Sequence, residues 1–246
     1  MEIRLQGLGV SPGIAVAPVI VHARGRWHVP VYPISNPEAE IERFHLALES
    51  AREDLLRLYA QTTAALGSGH AAIFQAHLMI LDDPVFQEEV SGLVRSRLCN
   101  VEHALDRVSR EYLEKMGQLA ESHLQDRHAD ILDVVDRLME RLLAVQPRRL
   151  ADIEEPVVLV ARDLSPSETV GLNRELVQAI VVEVGSVTSH SAILARALQI
   201  PAVIGVPSIT AKVIPGQFLV VDGSDGTVIL DPKADIIAGP LGGDQE

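Results

Sequence analysis

The sequence predicts an α/β domain that carries an inserted all-α helical bundle. An apolar, β-branched run at 14–22 comes first, and helical periodicity from 35 to 146 follows it. Short apolar runs then alternate with polar segments, at 157–161, 178–184, 202–206, 218–223 and 227–231. Because strands lie on both sides of the helices, we expect residues 1–34 and 147–234 to form one discontinuous α/β domain. Residues 35–146 are then the inserted helical subdomain, and 235–246 form a tail.

The first helix of the bundle is marked by apolar residues at steps of three and four. They are Ile41, Phe44, Leu48, Ala51, Leu55 and Leu58. Two caps are compatible with its start. Ser35 and Glu38 match a capping box, whereas Asn36 can cap a helix with Pro37 in its first position.

Further helices complete the predicted bundle. Residues 70–82 and 84–98 form two shorter helices that separate at Pro84, because proline lacks a backbone donor. Asn100 is expected to cap the next helix, which carries an apolar face. A last helix has a similar face, made of Ile131, Val135, Leu138 and Leu142. Helices of this length with apolar seams are typical of an antiparallel bundle.

Composition excludes several classes of function. The net charge is -13 and aromatic residues make up 3% of the chain, which argues against nucleic acid and favours a basic macromolecular partner. Every apolar run is shorter than the roughly 18 residues that a membrane span needs. The single cysteine, Cys99, excludes an internal disulfide and a CxxC metal or redox site, and indicates a cytoplasmic location.

The segment 185–203, GSVTSHSAILARALQIPAV, contains the chemistry that we consider most informative. A strand is expected to end at Val184 and a helix to run to Pro201, so His190 lies at a helix N-terminus. The amides of a helix start favour anions, and ligands of open α/β sheets bind at the carboxyl ends of the strands. A neutral imidazole there can attack phosphorus. A lone histidine at a helix start is otherwise a cap or a surface residue.

The same segment resembles the phosphohistidine signature of the PEP-utilising enzymes. It departs from that pattern at Ser186, where the family has Gly or Ala. Four further segments are similar, in the right order, to motifs of enzyme I of the PEP-dependent sugar phosphotransferase system. They are GVSPGIA at 9–15, AIFQAHLMILDDP at 72–84, RHADILD at 127–133 and DLSPSET at 163–169. The chain is therefore identified as a member of the enzyme I family.

The resemblance implies a phosphoryl-transfer relay on a swivelling phosphohistidine domain. His190 matches the histidine that is phosphorylated on Nε2 and passes the group to the carrier HPr. Thr169 matches the hydroxyl that orients the other ring nitrogen, although a helical threonine often bonds its own backbone instead. Thr188 and Ser189 are expected to support the loop. His70 matches a basic residue that reaches the resting histidine in the family.

The resemblance also implies where the carrier docks. Phe74, His77, Met79 and Ile80 occupy the stretch that matches the carrier-binding helix of the family, and each of them alone is otherwise typical of a bundle core. Arg196 lies about 240° around the helix from His190, at about 100° per residue, so we interpret it as structural rather than as a phosphate ligand. The other histidines lack metal-ligand spacing, and no cofactor is expected in this chain.

The family's PEP-binding and dimerising region is a C-terminal barrel, which nothing after Leu241 matches. We therefore expect the chain to correspond to the N-terminal half, to exchange phosphate with HPr and not to use PEP unaided. Residues 235–246 are then the tail or the start of a linker to that barrel. Mg²⁺ and dimerisation are expected of the full-length family enzyme, and a monomer is expected of this chain.

Other interpretations stay open at this point. Within the family, the chain is compatible with a nitrogen-regulatory enzyme I or a fused multiphosphoryl protein. A phosphohistidine domain of pyruvate phosphate dikinase or PEP synthase shares the histidine motif, but the bundle and the SPGIA segment disfavour it. A third interpretation is a non-catalytic docking module for a basic carrier, for which Ser186 and His70 are the only indications.

Overall fold

The computed structural model describes residues 2–22, 27–117, 123–145, 150–187 and 189–233. The chain divides into two compact units. One comprises Met1–Arg24 with Arg148–Glu246, and the other comprises Gly25–Pro147. The first unit contains the described strands and three short helices, and the second contains the long helices. This is the predicted fold class, an α/β domain interrupted by a helical bundle.

The elements follow the order of the chain. The strands are β1 (Ile3–Gln6), β2 (Leu8–Ser11), β3 (Ile14–His22), β4 (Val157–Ala161), β5 (Val177–Val182), β6 (Ala202–Ile204), β7 (Phe218–Asp222) and β8 (Thr227–Leu230). The helices are α1 (Pro37–Leu66), α2 (Ser68–Leu81), α3 (Pro84–Arg97), α4 (Val101–Gly117), α5 (His123–Leu142), α6 (Pro166–Val170), α7 (His190–Leu198) and α8 (Ile209–Lys212). A 3-10 turn spans Leu150–Asp152. Among the described residues, no helix is both long and apolar enough to cross a membrane.

The described strands form an eight-stranded sheet in the order β1-β8-β7-β3-β4-β5-β6-β2. Its centre, β3-β4-β5-β6, is parallel, and the remaining pairs are antiparallel. Alternate residues of the buried strands enter two different cores, because successive side chains point to opposite faces. Val158 and Val160 of β4 join a core with Ile209 of α8, whereas Leu159 joins one with Ala192 of α7. The sheet is therefore covered on both faces.

The bundle is held together by the apolar seams that the sequence predicts. Of the six α1 positions, all except Leu58 are buried. Asn36 is the cap of α1, since its side chain accepts from the backbone N–H of Ala39 at 3.2 Å, and Pro37 is the first helical residue. The four predicted apolar positions of α5 are also buried. The long α1 contacts α2 and α5, and α4 contacts both α3 and α5.

Asn100 occupies the predicted N-cap position of α4, where its carbonyl accepts from the N–H of Ala104 at 3.2 Å, but its side-chain amide bonds the incoming chain. Its Oδ1 accepts from the backbone N–H of Tyr32 at 3.2 Å, and its Nδ2 donates to the Pro30 carbonyl at 3.0 Å. The fully buried side chain therefore fixes the incoming chain against the start of α4. The side chain that caps the first N–H of α4 is Glu40, whose Oε2 accepts from Val101 at 3.0 Å. These bonds explain why the helical unit extends N-terminally of the predicted boundary at residue 35.

Arg43 joins the same end of the bundle. Its guanidinium donates to Glu40 at 2.8 Å and to Glu102 at 2.6 Å. Burial opposes the charge, but the hydrogen bonds to Glu40 and Glu102 outweigh it and raise the pKa of Arg43 above its usual range. The network holds α1 and α4 together, because each charged group in it has an oppositely charged hydrogen-bond partner.

Two strands were not predicted. β1 and β2 have four residues each, and β1 is mostly exposed. Neither segment has the uninterrupted apolar run that marks the central strands. They lie at the two edges of the sheet, where they pair with β8 and β6. Their formation therefore depends on the neighbouring strand rather than on their own sequence.

The backbone at Gly223 leaves no space for a side chain. A Cβ atom there would lie 1.9 Å from the carbonyl oxygen of Ser11 and 2.8 Å from the amide nitrogen of Ala202. The N–H of Gly223 donates to the Gly13 carbonyl at 2.8 Å, which joins the turn after β7 to the segment after β2. Glycine at 223 thus permits a close approach of two backbones.

We expect Gly223→Ala to destabilise the α/β unit by about 1–3 kcal/mol, because the backbones must separate to admit the methyl group. Urea unfolding followed by circular dichroism measures the change. Gly171→Ala is the control, since a Cβ there meets its nearest atom at an ordinary 3.4 Å, and its effect should stay within about 0.5 kcal/mol. Equal stability of the two variants would contradict the close approach.

Candidate active site

The parallel strands at the centre of the sheet bring several segments to one edge. β3, β4 and β5 end at His22, Ala161 and Val182, and parallel strands have their carboxyl ends on the same side. The chain enters α6 after β4 and α7 after β5. Ligands of open α/β sheets bind at such an edge. Thr169 of α6 and His190 of α7 therefore belong to the same end of the α/β unit, and α6 contacts α7.

His190 is the first residue of α7, and its side chain is partly exposed. Ser189 precedes it as the N-cap, and its Oγ accepts from the N–H of Ala192 at 3.4 Å. The Oγ atoms of Ser189 and the buried Ser191 lie 3.1 Å apart. The first turn of a helix presents N–H groups without intrahelical acceptors, which favours a negatively charged group there. His190 thus lies at a helix end that favours negative charge.

The loop before His190 is shaped by backbone contacts. Gly185 has a φ of 139°, which favours glycine, and the N–H of Ser189 donates to the Ser186 carbonyl at 2.9 Å. Because Ser186 contributes its main chain to that bond, serine there is compatible with the turn. Arg196 donates from Nη2 to the Val187 carbonyl at 2.9 Å, so it connects α7 to the loop. The predicted loop residue Thr188 lies outside the described residues.

Thr169 is fully buried in α6. Its Oγ1 donates to the Ser165 carbonyl at 2.8 Å, which is the backbone bond common for helical threonines. A hydroxyl that has given its proton to one acceptor keeps two lone pairs, so it can still accept a hydrogen bond. Thr169 can therefore accept a hydrogen bond from a neighbouring group but cannot donate one to it.

The start of α6 forms a capping box. The N–H of Glu168 donates to Ser165 Oγ at 3.1 Å, and the N–H of Ser165 donates to Glu168 Oε2 at 2.7 Å. A Ser and a Glu three residues apart are the sequence signature of a capping box, so this motif was recognisable from the sequence. The other oxygen of Glu168 lies 2.7 Å from Nε2 of His22. No local pattern indicates that pair, because 146 positions separate the two residues.

The four predicted partner-binding residues of α2 divide into two groups in the helical unit. Phe74 and His77 have no exposed surface, whereas Met79 is 76% exposed and Ile80 is partly exposed. The prediction that Phe74 and His77 contact a partner is therefore corrected. Both side chains belong to the core of the bundle, where their rings pack edge to face with centroids 5.8 Å apart.

His77 lies between two carboxylates of α5. Its Nε2 is 3.2 Å from Asp130 Oδ1, and its Nδ1 is 3.3 Å from Asp133 Oδ2. Both aspartates are buried. The Nε2 contact gives the buried Asp130 carboxylate a hydrogen-bond partner inside the bundle. The group joins α2 to α5, and the sequence prediction missed it because it depends on the packing of two separate helices.

His70 has a contact within its own unit. Its Nδ1 lies 2.9 Å from the Leu66 carbonyl, so that nitrogen carries the proton. Among the residues that the structure describes, no group of three or more His, Cys, Asp or Glu side chains is placed to hold a metal ion.

Comparison with known proteins agrees with this arrangement. The model of the N-terminal domain of PEP-utilising enzymes matches residues 6–127, and the model of the mobile domain of PEP-utilising enzymes matches residues 153–226. These two matches cover both units and define the class of the protein.

Individual relatives are more specific. The chain is 36% identical over 96% of its length to a phosphoenolpyruvate-protein phosphotransferase of Geobacillus stearothermophilus, and 39% identical over 95% to that of Latilactobacillus sakei. In each case it spans 41% of the relative. A solution structure of an enzyme I protein matches with a TM-score of 0.74 and 36% identity, over 95% of both chains. The N-terminal domain of a nitrogen enzyme I matches with a TM-score of 0.64 and 26% identity, over 95% of this chain and 96% of that one.

The chain belongs to the enzyme I family and corresponds to the N-terminal domain of its members. Its curated relatives are transferases of the phosphotransferase system, and the chain spans about two fifths of their length.

We expect His77→Ala to destabilise the helical unit by about 2–5 kcal/mol, because it removes the group between two buried carboxylates and opens a cavity. Chemical denaturation followed by circular dichroism tests this. The control is His45→Ala, which removes an exposed histidine of α1 and should change the stability by less than about 0.5 kcal/mol. If both variants unfold at the same urea concentration, His77 has no structural role.

Proposed function

We propose that the chain is a phosphoryl-transfer relay in which His190 accepts a phosphoryl group on Nε2 and passes it to a histidine of an HPr-type carrier. The observation that carries the proposal is the position of His190. It is the first residue of α7, after the N-cap Ser189, at the carboxyl edge of the parallel strands. The position coincides with the phosphohistidine signature of the family to which the chain belongs.

Thr169 is assigned the role of orienting the imidazole. Because its hydroxyl proton is donated to Ser165, its oxygen can only accept from an N–H of the ring. An Nδ1–H donated to Thr169 leaves the lone pair on Nε2, and Nε2 is then the nucleophile. The burial of Thr169 supports this role, since a buried acceptor does not exchange its partner for water.

The reaction balances as an exchange between two histidines. The Nε2 lone pair of His190 attacks phosphorus, a new P–N bond forms, and the P–N bond to the carrier's imidazole breaks with its electron pair returning to that ring. Negative charge spreads over the equatorial oxygens as the bonds change. We assign the stabilisation of that charge to the N-terminal amides of α7 and the hydroxyl of Ser189. Thr188 is assigned to the same group from the sequence.

Use of PEP is proposed for the whole family enzyme. The chain spans 41% of the curated relatives. We assign PEP binding, Mg²⁺ and dimerisation to the part of those relatives that lies outside the match. This chain is then expected to be a cytoplasmic monomer that exchanges phosphate with the carrier.

The carrier is proposed to dock on the exposed side of α2. Met79 offers an apolar side chain that is 76% exposed, and Ile80 is partly exposed beside it. The net charge of -13 favours a carrier that is basic around its own histidine. Phe74 and His77 hold α2 in place from inside the bundle.

We expect phosphorylated HPr to transfer one phosphoryl group to the chain, because the exchange breaks one P–N bond to an imidazole and forms another of the same kind. Intact-mass spectrometry should show a gain of one phosphoryl group in the wild type and none in His190→Ala. The control is His45→Ala, which removes an exposed histidine far along the sequence and should leave the gain unchanged.

Each contrary result has a defined meaning. An undiminished gain in His190→Ala would contradict the assignment of the acceptor. Binding of HPr by the wild type without any mass gain would instead select the non-catalytic docking module. Transfer from a nitrogen-branch carrier in preference to a sugar-branch HPr would select the nitrogen-regulatory branch, for which the match to the nitrogen enzyme I domain is the specific indication.

We expect Met79→Lys to weaken the binding of HPr by about 10-fold, because it replaces apolar contact area with a charge that repels a basic carrier. Isothermal titration calorimetry measures the change. Leu46→Lys is the matched control, since Leu46 is an exposed apolar residue of α1 with 62% exposure. An equal loss of affinity in both variants would indicate a general charge effect and contradict docking at Met79.

A further inference from the structure

His22 and Glu168 form a tertiary contact that the proposed reaction does not use directly. His22 is the last residue of β3, and its Nε2 lies 2.7 Å from Oε1 of Glu168 in α6. The side chains are 17% and 24% exposed, so water competes only partly for the bond. A carboxylate only accepts, and His22 therefore donates from Nε2–H.

Glu168 has a second role at the same time. Its Oε2 accepts from the N–H of Ser165, and its own N–H donates to Ser165 Oγ. These two bonds close the capping box of α6, which is only five residues long. A single helical turn is not stable by itself, so its position depends on what its ends contact.

The capping box and the contact with His22 do different things. The box is internal to 165–168, so it fixes the shape of the turn and would move with it. The bond from His22 connects that turn to β3, whose residues Val19–His22 pair with β4 and whose residues Ile14–Pro18 pair with β7. The backbone of His22 is therefore tied to the central strand β4, opposite Ala161, which makes it a more rigid support than a free turn. His22 therefore joins α6 to the centre of the sheet.

Thr169 follows Glu168 directly in α6. Its hydroxyl is directed by its bond to the Ser165 carbonyl, so the oxygen follows any movement of the turn. We propose that His22 is a positioning residue for phosphoryl transfer: by holding Glu168 it fixes α6, and with it the Thr169 oxygen that orients His190. This inference rests on the proposed function of Thr169 and His190. The alternative is that the pair only stabilises the unit.

The tautomer of His190 separates these two roles. In the 246-residue chain labelled with ¹⁵N-histidine, NMR at a pH where the ring is neutral reports which nitrogen carries the proton. We expect wild-type His190 to be protonated on Nδ1, and His22→Ala to increase the Nε2–H form about 5-fold, which is the scale of one hydrogen bond. His22→Gln should restore the wild-type tautomer, since its amide donates from a position close to that of Nε2.

The rate of phosphoryl uptake gives a second measurement. In single turnovers with phosphorylated HPr, His22→Ala should lower the limiting rate about 5-fold and leave the concentration of HPr at half-maximal rate unchanged. In a Glu168→Ala background the His22 substitution should have no further effect, because the two residues act as a pair. His45→Ala is the control for loss of a histidine.

A lower melting temperature of His22→Ala with unchanged tautomer and unchanged rate would overturn the proposal. So would full additivity with Glu168→Ala. The NMR measurement needs no phosphoryl donor, so it decides the role of His22 even if the wild type takes up no phosphate. Absence of phosphate uptake by the wild type would refute the proposed function, but it would not refute the contact between His22 and α6.

Discussion

The parallel pairing of β3, β4, β5 and β6 is the constraint on which the site depends. Because these strands share one direction, the residues that follow each of them are collected at one edge of the sheet. One crossover delivers α6, the next delivers the loop before His190, and β3 itself ends at His22. None of these segments has a stable structure alone. The sheet supplies the rigidity, and the short helices supply the polar groups.

Two polar side chains at that edge donate hydrogen bonds to the backbone. Thr169 donates to the Ser165 carbonyl, and Arg196 donates to the Val187 carbonyl. Each bond removes a donor and leaves a defined acceptor or a defined loop shape. Phosphoryl transfer needs little covalent chemistry from the protein beyond the nucleophile, so orientation and charge stabilisation are what these contacts can supply. In the helical unit, His77 likewise has a structural contact: it is buried and joins α2 to α5.

The sequence was sufficient for the elements whose residue pattern is distinctive. The apolar runs at 14–22 and 157–161 predicted β3 and β4 with the observed bounds, and the seam of α1 was readable from residue types. For the cap of α1 the residue types left two candidates, and the structure has Asn36. The edge strands β1 and β2 could not be predicted from the sequence, because their conformation is decided by the strands with which they pair and not by their own side chains. The residue pattern predicted a helix N-terminus at His190, and α7 begins at that residue. The contact between His22 and Glu168 was not predictable, since a pair 146 residues apart exists only after the sheet has formed.

The prediction for α2 shows the limit of transferring a motif by position. Phe74, His77, Met79 and Ile80 lie on consecutive turns of one helix, and a motif does not say which side of that helix is buried. Packing against α5 decides it: His77 meets Asp130 and Asp133, whereas Met79 remains exposed.

We propose that a fixed tautomer directs the phosphoryl group to Nε2 of His190. The most direct measurement is NMR of the ¹⁵N-histidine-labelled, phosphorylated chain, in which phosphorus couples most strongly to the nitrogen that carries it. A single phosphohistidine bonded through Nε2 of His190 is the expected result. Attachment through Nδ1, or phosphate on a different histidine, would contradict the claim.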